Sequence, residues 1–161
     1  MNYCYRNDCD MTNGSGLRVT IFISGCEHKC EDCFNKQTWD KNYGSPFTEE
    51  IKKSILDRLN RPFIEGISIL GGDPLMDYNY DEILDFCKKI KNETNKSVYI
   101  WTGYSTDYVL NKFNELLDFV DMIVTEKFDT NLKDPNLYLR GSSNQKFIID
   151  KKVFNEVPKG Y

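Results

Sequence analysis

The sequence predicts an α/β fold, an open partial (βα) barrel whose curved, mainly parallel sheet of about five strands is flanked by helices. Apolar runs rich in β-branched residues alternate with segments of helical periodicity, which is typical of strand–helix–strand units with right-handed crossovers. The chain has 161 residues, whereas a complete eight-stranded barrel needs roughly 250. We therefore expect residues 1–161 to form one domain built around an incomplete barrel.

Strands and helices are predicted in alternating order. The first strand, 17–24, precedes a helix that Thr48 caps and that buries Ile55 and Leu59 on one face. A second helix, 80–91, turns Cys87 inward. The remaining predicted elements are a helix over 106–117 and strands over 64–70, 97–102, 120–125 and 146–149.

Composition and charge exclude several classes of protein. A hydrophobic content of 40% indicates a globular chain, and a net charge of −4 gives no basic signal for nucleic acid. No apolar run approaches the roughly 18 residues of a membrane helix, and the first residues lack the apolar segment of a signal peptide. We expect a cytoplasmic protein whose six cysteines stay reduced.

Three cysteines in one short loop point to a metal centre. Cys26, Cys30 and Cys33 follow the first strand with the spacing Cys-x3-Cys-x2-Cys. Four thiolates close an iron–sulfur cube into an electron carrier, whereas three leave one iron open for a substrate. A zinc site completed by His28, Cys9 or Cys4 would instead make the chain a binding module without catalysis. A 4Fe–4S cluster held by the three cysteines is favoured over zinc because no second cysteine pair follows.

A second motif, Gly71-Gly72-Asp73-Pro74, follows the predicted strand 64–70. Two glycines lack Cβ atoms and let the backbone approach a ligand closely, and the Asp73 carboxylate suits an ammonium group. An ordinary turn between strand and helix would look the same. Because ligands bind at the carboxyl ends of parallel strands, we expect this motif, the cysteine loop and the segment 101–104 to meet on one rim.

Together these motifs resemble the radical S-adenosylmethionine (SAM) enzymes. More narrowly, the chain resembles the family that activates anaerobic ribonucleoside-triphosphate reductase. The likeness rests on segments 13–18, 25–35, 38–39, 71–74, 101–104 and 132–145, the last ending in Arg140-Gly141-Ser142-Ser143-Asn144-Gln145. The chain departs from that family at Ser15, where proline is usual, at Asp32, where glycine is common, and at Thr125-Glu126, where Asp-Gly is common.

The resemblance implies an oxidoreductase that binds one 4Fe–4S cluster and SAM. In such enzymes the cluster and SAM carry the chemistry and the protein orients them, so no side chain is expected to be catalytic. The residues implied to contact SAM are Gly71, Gly72 and Asp73 at the ammonium group, and Asp32, Cys33 and Phe34 at the adenosine.

The resemblance also implies the reaction and its partners. SAM would be cleaved reductively to a 5′-deoxyadenosyl radical, which takes a hydrogen atom from a glycine of the reductase large subunit. A flavodoxin-like protein is the implied electron donor. An activase of another glycyl-radical enzyme and a radical SAM enzyme acting on a small molecule are the alternatives.

Overall fold

The computed structural model describes residues 1–159 and 161 and has an eight-stranded mixed sheet. The strands are β1 (Asn2–Asp10), β2 (Arg18–Ile23), β3 (Ser45–Pro46), β4 (Gly66–Gly71), β5 (Ser97–Trp101), β6 (Met122–Thr125), β7 (Lys146–Ile149) and β8 (Lys152–Phe154). Their order across the sheet is β3-β1-β2-β4-β5-β6-β7-β8. Strands β2, β4, β5 and β6 run parallel, and the pairings outside this group are antiparallel.

Helices connect the parallel strands. They are α1 (Glu49–Leu59), α2 (Asp77–Glu93) and α3 (Thr106–Lys112), with 3-10 turns at Lys36–Trp39, Leu116–Asp118 and Thr130–Leu132. The side chain of Thr48 accepts a hydrogen bond from the Ile51 N–H and caps α1, as predicted. Among the described residues, no helix combines the length and apolar character that crossing a membrane requires.

The predicted open partial (βα) barrel, with its mainly parallel sheet of about five strands and flanking helices, is wrong. Eight strands form the sheet, and four of its seven pairings are antiparallel. Only three α-helices lie within residues 1–159 and 161. The architecture is therefore a mixed sheet in which antiparallel strands flank a parallel centre on both sides.

The three strands that the sequence did not predict, β1, β3 and β8, gave weak sequence signals. Strand β1 has the sequence NYCYRNDCD, in which polar side chains fall on both faces instead of alternating with apolar ones. Strands β3 and β8 are two and three residues long, too short to show any period. Pairing with a neighbour stabilises these segments in the folded protein, and a local pattern does not report it.

The two faces of the sheet differ. On β5, Val98 and Ile100 join the apolar core formed with the helices, whereas Tyr99 and Trp101 pack on the opposite face. The same alternation on β2 and β4 places apolar side chains under the helices and polar ones, including Thr20 and Ser68, on the other side.

Arg18 fills that polar side at the amino ends of the parallel strands. The side chain is 1% exposed. Its Nε donates to Ser68 Oγ at 2.8 Å, Nη1 donates to Ser97 Oγ at 2.8 Å, and Nη2 donates to the Ile67 carbonyl at 2.7 Å. The guanidinium also lies 3.8 Å from the centroid of the Tyr99 ring. Burial lowers the pKa of Arg18 to about 10, so the guanidinium remains charged at neutral pH.

Asp10 anchors the turn that leads into β2. Its carboxylate accepts hydrogen bonds from the Thr12 N–H and hydroxyl and from the side chains of Asn13 and Thr20. Burial alone would raise the pKa of Asp10, but these hydrogen bonds outweigh it and lower the pKa from 3.8 to about 2. Ser68 donates to the Asn13 carbonyl and links this group to Arg18.

The lowered pKa of Asp10 makes stability depend on pH in acid. As pH falls from about 4 to 2, the unfolded chain takes up this proton before the folded protein does, so the wild type loses stability in that window. We expect Asp10→Asn to lower the free energy of unfolding at pH 7 by about 1–3 kcal/mol and to flatten its dependence on pH between about 4 and 2. Urea unfolding at a series of pH values measures both effects. The exposed Asp57→Asn is the control, and an Asp10→Asn curve parallel to the wild type would contradict the assignment.

Candidate functional site

The four parallel strands end at one edge of the sheet, and the segments that follow them are in contact. Residues 24–35 follow β2, 72–76 follow β4, 102–105 follow β5 and 126–131 follow β6. The predicted meeting of the cysteine loop, the Gly-Gly-Asp-Pro motif and the segment 101–104 is confirmed by the hydrogen bonds described below.

The glycine motif lies directly against the start of the cysteine loop. The Gly72 N–H donates to the Ile23 carbonyl at 2.7 Å, and the Asp73 N–H donates to the Gly25 carbonyl at 2.8 Å. A Cβ on Gly72 would lie 2.5 Å from the Gly25 oxygen, and Gly71 has a φ of +119°, which a side chain would strain. These glycines therefore allow two backbone segments to touch.

The cysteine loop is a series of tight turns. Cys26 is buried, whereas Cys30 and Cys33 are partly exposed. Lys29 and Asp32 have φ values of +49° and +55°, in the left-handed region that favours glycine. Asp32 stands where the related family commonly has glycine, and its carboxylate accepts a hydrogen bond from the Thr130 hydroxyl at 2.9 Å.

The donor chemistry of the loop fits an iron–sulfur cluster. Burial raises the pKa of Cys26 to about 11, and the backbone N–H groups of His28 and Lys29 lower it by facing the sulfur. Burial also raises the pKa of Cys30, whose sulfur faces the Phe128 N–H. Hydrogen bonds of this kind stabilise thiolates and tune clusters. Cluster binding must displace the thiol protons, because thiolates are the ligands.

Two of the other three cysteines lie away from the loop, whereas Cys4 lies near its end, where its sulfur faces the Asn35 side chain. Cys87 is fully buried in α2, Cys9 is exposed at the far end of β1, and Cys4 is partly exposed in the same strand. Within the described residues, no three His, Cys, Asp or Glu side chains converge as the ligands of a single metal ion would.

Asp73 is fully buried, and protein groups surround its carboxylate. Oδ1 accepts from the Leu75 N–H at 2.8 Å, and Oδ2 accepts from the Gly103 N–H at 2.9 Å. The Thr102 hydroxyl lies 3.0 and 2.8 Å from the two oxygens, and Nε2 of His28 lies 2.6 Å from Oδ2. The contact of Asp73 with an ammonium group stays a prediction.

The residues predicted to line an adenosine lie on the outer side of the loop. Phe34 is 88% exposed, and Asp32 is also exposed. Cys33 forms a turn in which its N–H donates to the Cys30 carbonyl at 3.3 Å. Contacts from Asp32, Cys33 and Phe34 to adenosine stay predictions, and the exposure of Phe34 is compatible with contact through its backbone.

Sequence reasoning missed the support that comes from β6. Glu126 Oε1 accepts from the Thr106 N–H and hydroxyl, both at 2.8 Å, which fixes the start of α3. Asn144 donates to the Lys127 carbonyl at 2.8 Å, and Gln145 donates to the Glu126 carbonyl at 3.2 Å. The segment that begins at Arg140 therefore holds 126–128 in place against Cys30. The sequence offered one signal for this support: Glu126 directly follows a predicted strand, at the edge of the sheet where the other site segments were expected.

Comparison with known proteins identifies the family. A family model described as a 4Fe-4S single cluster domain matches residues 12–148. The anaerobic ribonucleoside-triphosphate reductase-activating protein of Escherichia coli K12 is 43% identical over 148 residues, which are 90% of this chain and 96% of that protein. This chain belongs to the family of anaerobic ribonucleoside-triphosphate reductase-activating proteins.

Proteins of this family from other sources also align with this chain over nearly their whole length. The protein so named from Enterobacteria phage T4 is 39% identical over 147 residues, covering 91% of this chain and 92% of its own length. The protein so named from Haemophilus influenzae is 35% identical over 148 residues, covering 90% and 96%. The matched region includes the cysteine loop, the glycine motif and the segment that begins at Arg140.

Proposed function

We propose that this protein activates anaerobic ribonucleoside-triphosphate reductase by forming a glycyl radical on the reductase large subunit. One observation carries the proposal: the loop with three cysteines lies directly against the Gly-Gly-Asp-Pro motif at the carboxyl ends of the parallel strands. Membership of the activating-protein family supports the same partner.

The chain's own residues would hold two cofactors in this proposal. Cys26, Cys30 and Cys33 hold a 4Fe–4S cluster, and their number leaves one iron without a protein ligand. The backbone of Gly71, Gly72 and Asp73 faces the ammonium group of SAM, and the two glycines allow close approach. Asp32, Cys33 and Phe34 line the adenosine. When bound, the reduced cluster and SAM supply methionine and a 5′-deoxyadenosyl radical, which takes a hydrogen atom from the substrate glycine.

The protein's contribution to this reaction is orientation. The glycine motif and the cysteine loop are joined by backbone hydrogen bonds, so groups bound to one are fixed relative to groups bound to the other. Cys30 and Cys33 remain partly exposed and Phe34 is exposed, which leaves this edge accessible to a segment of a large partner. We also propose a flavodoxin-like electron donor and a cytoplasmic location, where the cluster ligands would stay reduced.

The decisive experiment combines the two proteins without oxygen. The protein is reconstituted with iron and sulfide, reduced with dithionite, and mixed with SAM and the purified reductase. We expect 5′-deoxyadenosine by chromatography and a glycyl-radical signal on the reductase by electron paramagnetic resonance. A second glycyl-radical enzyme in place of the reductase is the specificity control. Stoichiometric zinc without iron would refute the proposal, as would SAM cleavage that leaves the reductase without a radical.

A further inference from the structure

We propose that His28 is a positioning residue for the cluster, and that the Asp73 carboxylate acts through it rather than on SAM. In this assignment the hydrogen bond between His28 and Asp73 fixes the cysteine loop against the ends of β4 and β5, whether or not SAM is present. The inference rests on the proposed function only in that the loop holds a cluster.

The first argument is that protein donors already occupy the carboxylate of Asp73. An ionised carboxylate accepts about four hydrogen bonds. Here the donors are the Leu75 N–H, the Thr102 hydroxyl, the Gly103 N–H and Nε2–H of His28, and the side chain is 0% exposed. An ammonium group would have to displace one of these donors. The carboxylate instead joins the segments that follow β2, β4 and β5.

The second argument is that the imidazole of His28 is held on several sides. Its ring contacts the Tyr104 ring edge-to-face, with centroids 4.8 Å apart and planes at 81°. A Cβ on Gly103 would lie 2.5 Å from the imidazole, so the absence of a side chain there makes room for the ring. Because a carboxylate only accepts, Nε2 is the protonated nitrogen in the bond to Asp73.

The third argument links the ring to a proposed cluster ligand. The backbone N–H of His28 faces the Cys26 sulfur, as does the N–H of Lys29 in its left-handed conformation. Holding the imidazole therefore also holds the peptide units that point at Cys26. Hydrogen-bonded carboxylate–histidine pairs orient ligands in metal sites in the same way, although there the histidine itself is the ligand.

The test compares single and double variants in the protein loaded with its cluster but without SAM. We expect His28→Ala and Asp73→Asn each to weaken iron retention about 10- to 100-fold and to shift the midpoint potential of the cluster. The double variant should retain iron as well as the more affected single variant does, because both changes remove the same contact. His28→Gln, whose Nε2 amide can still donate, should recover much of the loss. Glu31→Gln removes an exposed carboxylate from the same loop and should behave as the wild type.

A readout without metal separates positioning from a general loss of structure. In the apoprotein we expect hydrogen exchange at the Gly103 amide to accelerate in His28→Ala and Asp73→Asn, with circular dichroism unchanged. If Asp73→Asn does not fold, iron retention in His28→Ala and His28→Gln is compared instead. Recovery in His28→Gln supports the inference, and equal loss in both variants contradicts it. The inference is overturned if Asp73→Asn weakens only SAM binding and leaves the SAM-free cluster unchanged, or if the two single effects add. Radical formation by the wild type tests the proposed function and is independent of either result.

Discussion

Replacing Cys26, Cys30 or Cys33 by alanine is expected to abolish SAM cleavage and to leave less than a full cluster bound. The three thiols are the proposed protein ligands, so each change removes the anchor of one iron. The loop, residues 24–35, contains no fourth cysteine that could replace one of them. Iron and sulfide per chain, visible absorption and 5′-deoxyadenosine yield measure the effect after identical reconstitution.

Two other cysteines provide matched controls for this experiment. Cys9→Ala changes an exposed residue and should leave iron content and cleavage unchanged. Cys87→Ala removes a fully buried sulfur from α2 and should cost about 1 kcal/mol of unfolding free energy while keeping the cluster. Full SAM cleavage by any of the three loop variants would refute the ligand assignment, and loss of the cluster in Cys9→Ala would extend the ligand set beyond the loop.

The parallel centre of the sheet was predictable because each of its strands is an apolar run next to an amphipathic helix. Strand β4 lies at Gly66–Gly71 against a predicted 64–70, and β6 lies at Met122–Thr125 against a predicted 120–125. The predicted helix over 106–117 is shorter, since α3 ends at Lys112 and a 3-10 turn follows at Leu116–Asp118. Strand β7 lies at Lys146–Ile149 as predicted, but its antiparallel direction and the strands β1, β3 and β8 were not predicted, so the predicted fold class is wrong. Pairing between distant segments leaves little trace in local periodicity.

The site divides in a similar way. The cysteine spacing predicts a metal-binding loop on its own, because that chemistry depends on residue type and local spacing. The two glycines alone are equally compatible with an ordinary turn and become a candidate site only beside that loop. The donors to Asp73 from His28, Thr102 and Gly103 come from segments tens of residues away, and no spacing rule predicted that His28 would reach it. Glu126 likewise acts on the start of α3 through a contact that only the folded chain creates. Long-range polar contacts are set by the fold, so a single sequence does not reveal them.

Arg18, in the predicted strand 17–24, is one of the most buried side chains. We expect Arg18→Met to lower the free energy of unfolding by about 1–3 kcal/mol. The change keeps much of the volume but removes the hydrogen bonds to Ser68, Ser97 and the Ile67 carbonyl, leaving buried polar groups without their partner. Arg18→Lys keeps the charge but has fewer hydrogen-bond donors. Its free energy of unfolding should lie between those of the wild type and Arg18→Met.

The location of Arg18 separates stability from activity. It begins β2, and Gly66 and Ser97 begin the neighbouring strands, so the guanidinium lies at the opposite end of the sheet from the cysteine loop. The fraction of Arg18→Met that remains folded should therefore load its cluster and cleave SAM as the wild type does. Urea unfolding of the apoprotein measures stability, and cleavage per bound cluster at low temperature measures activity. Arg61→Met, at an exposed position, is the control and should change stability by less than about 0.5 kcal/mol. Wild-type stability combined with lost cleavage in Arg18→Met would instead connect this end of the strands to the site.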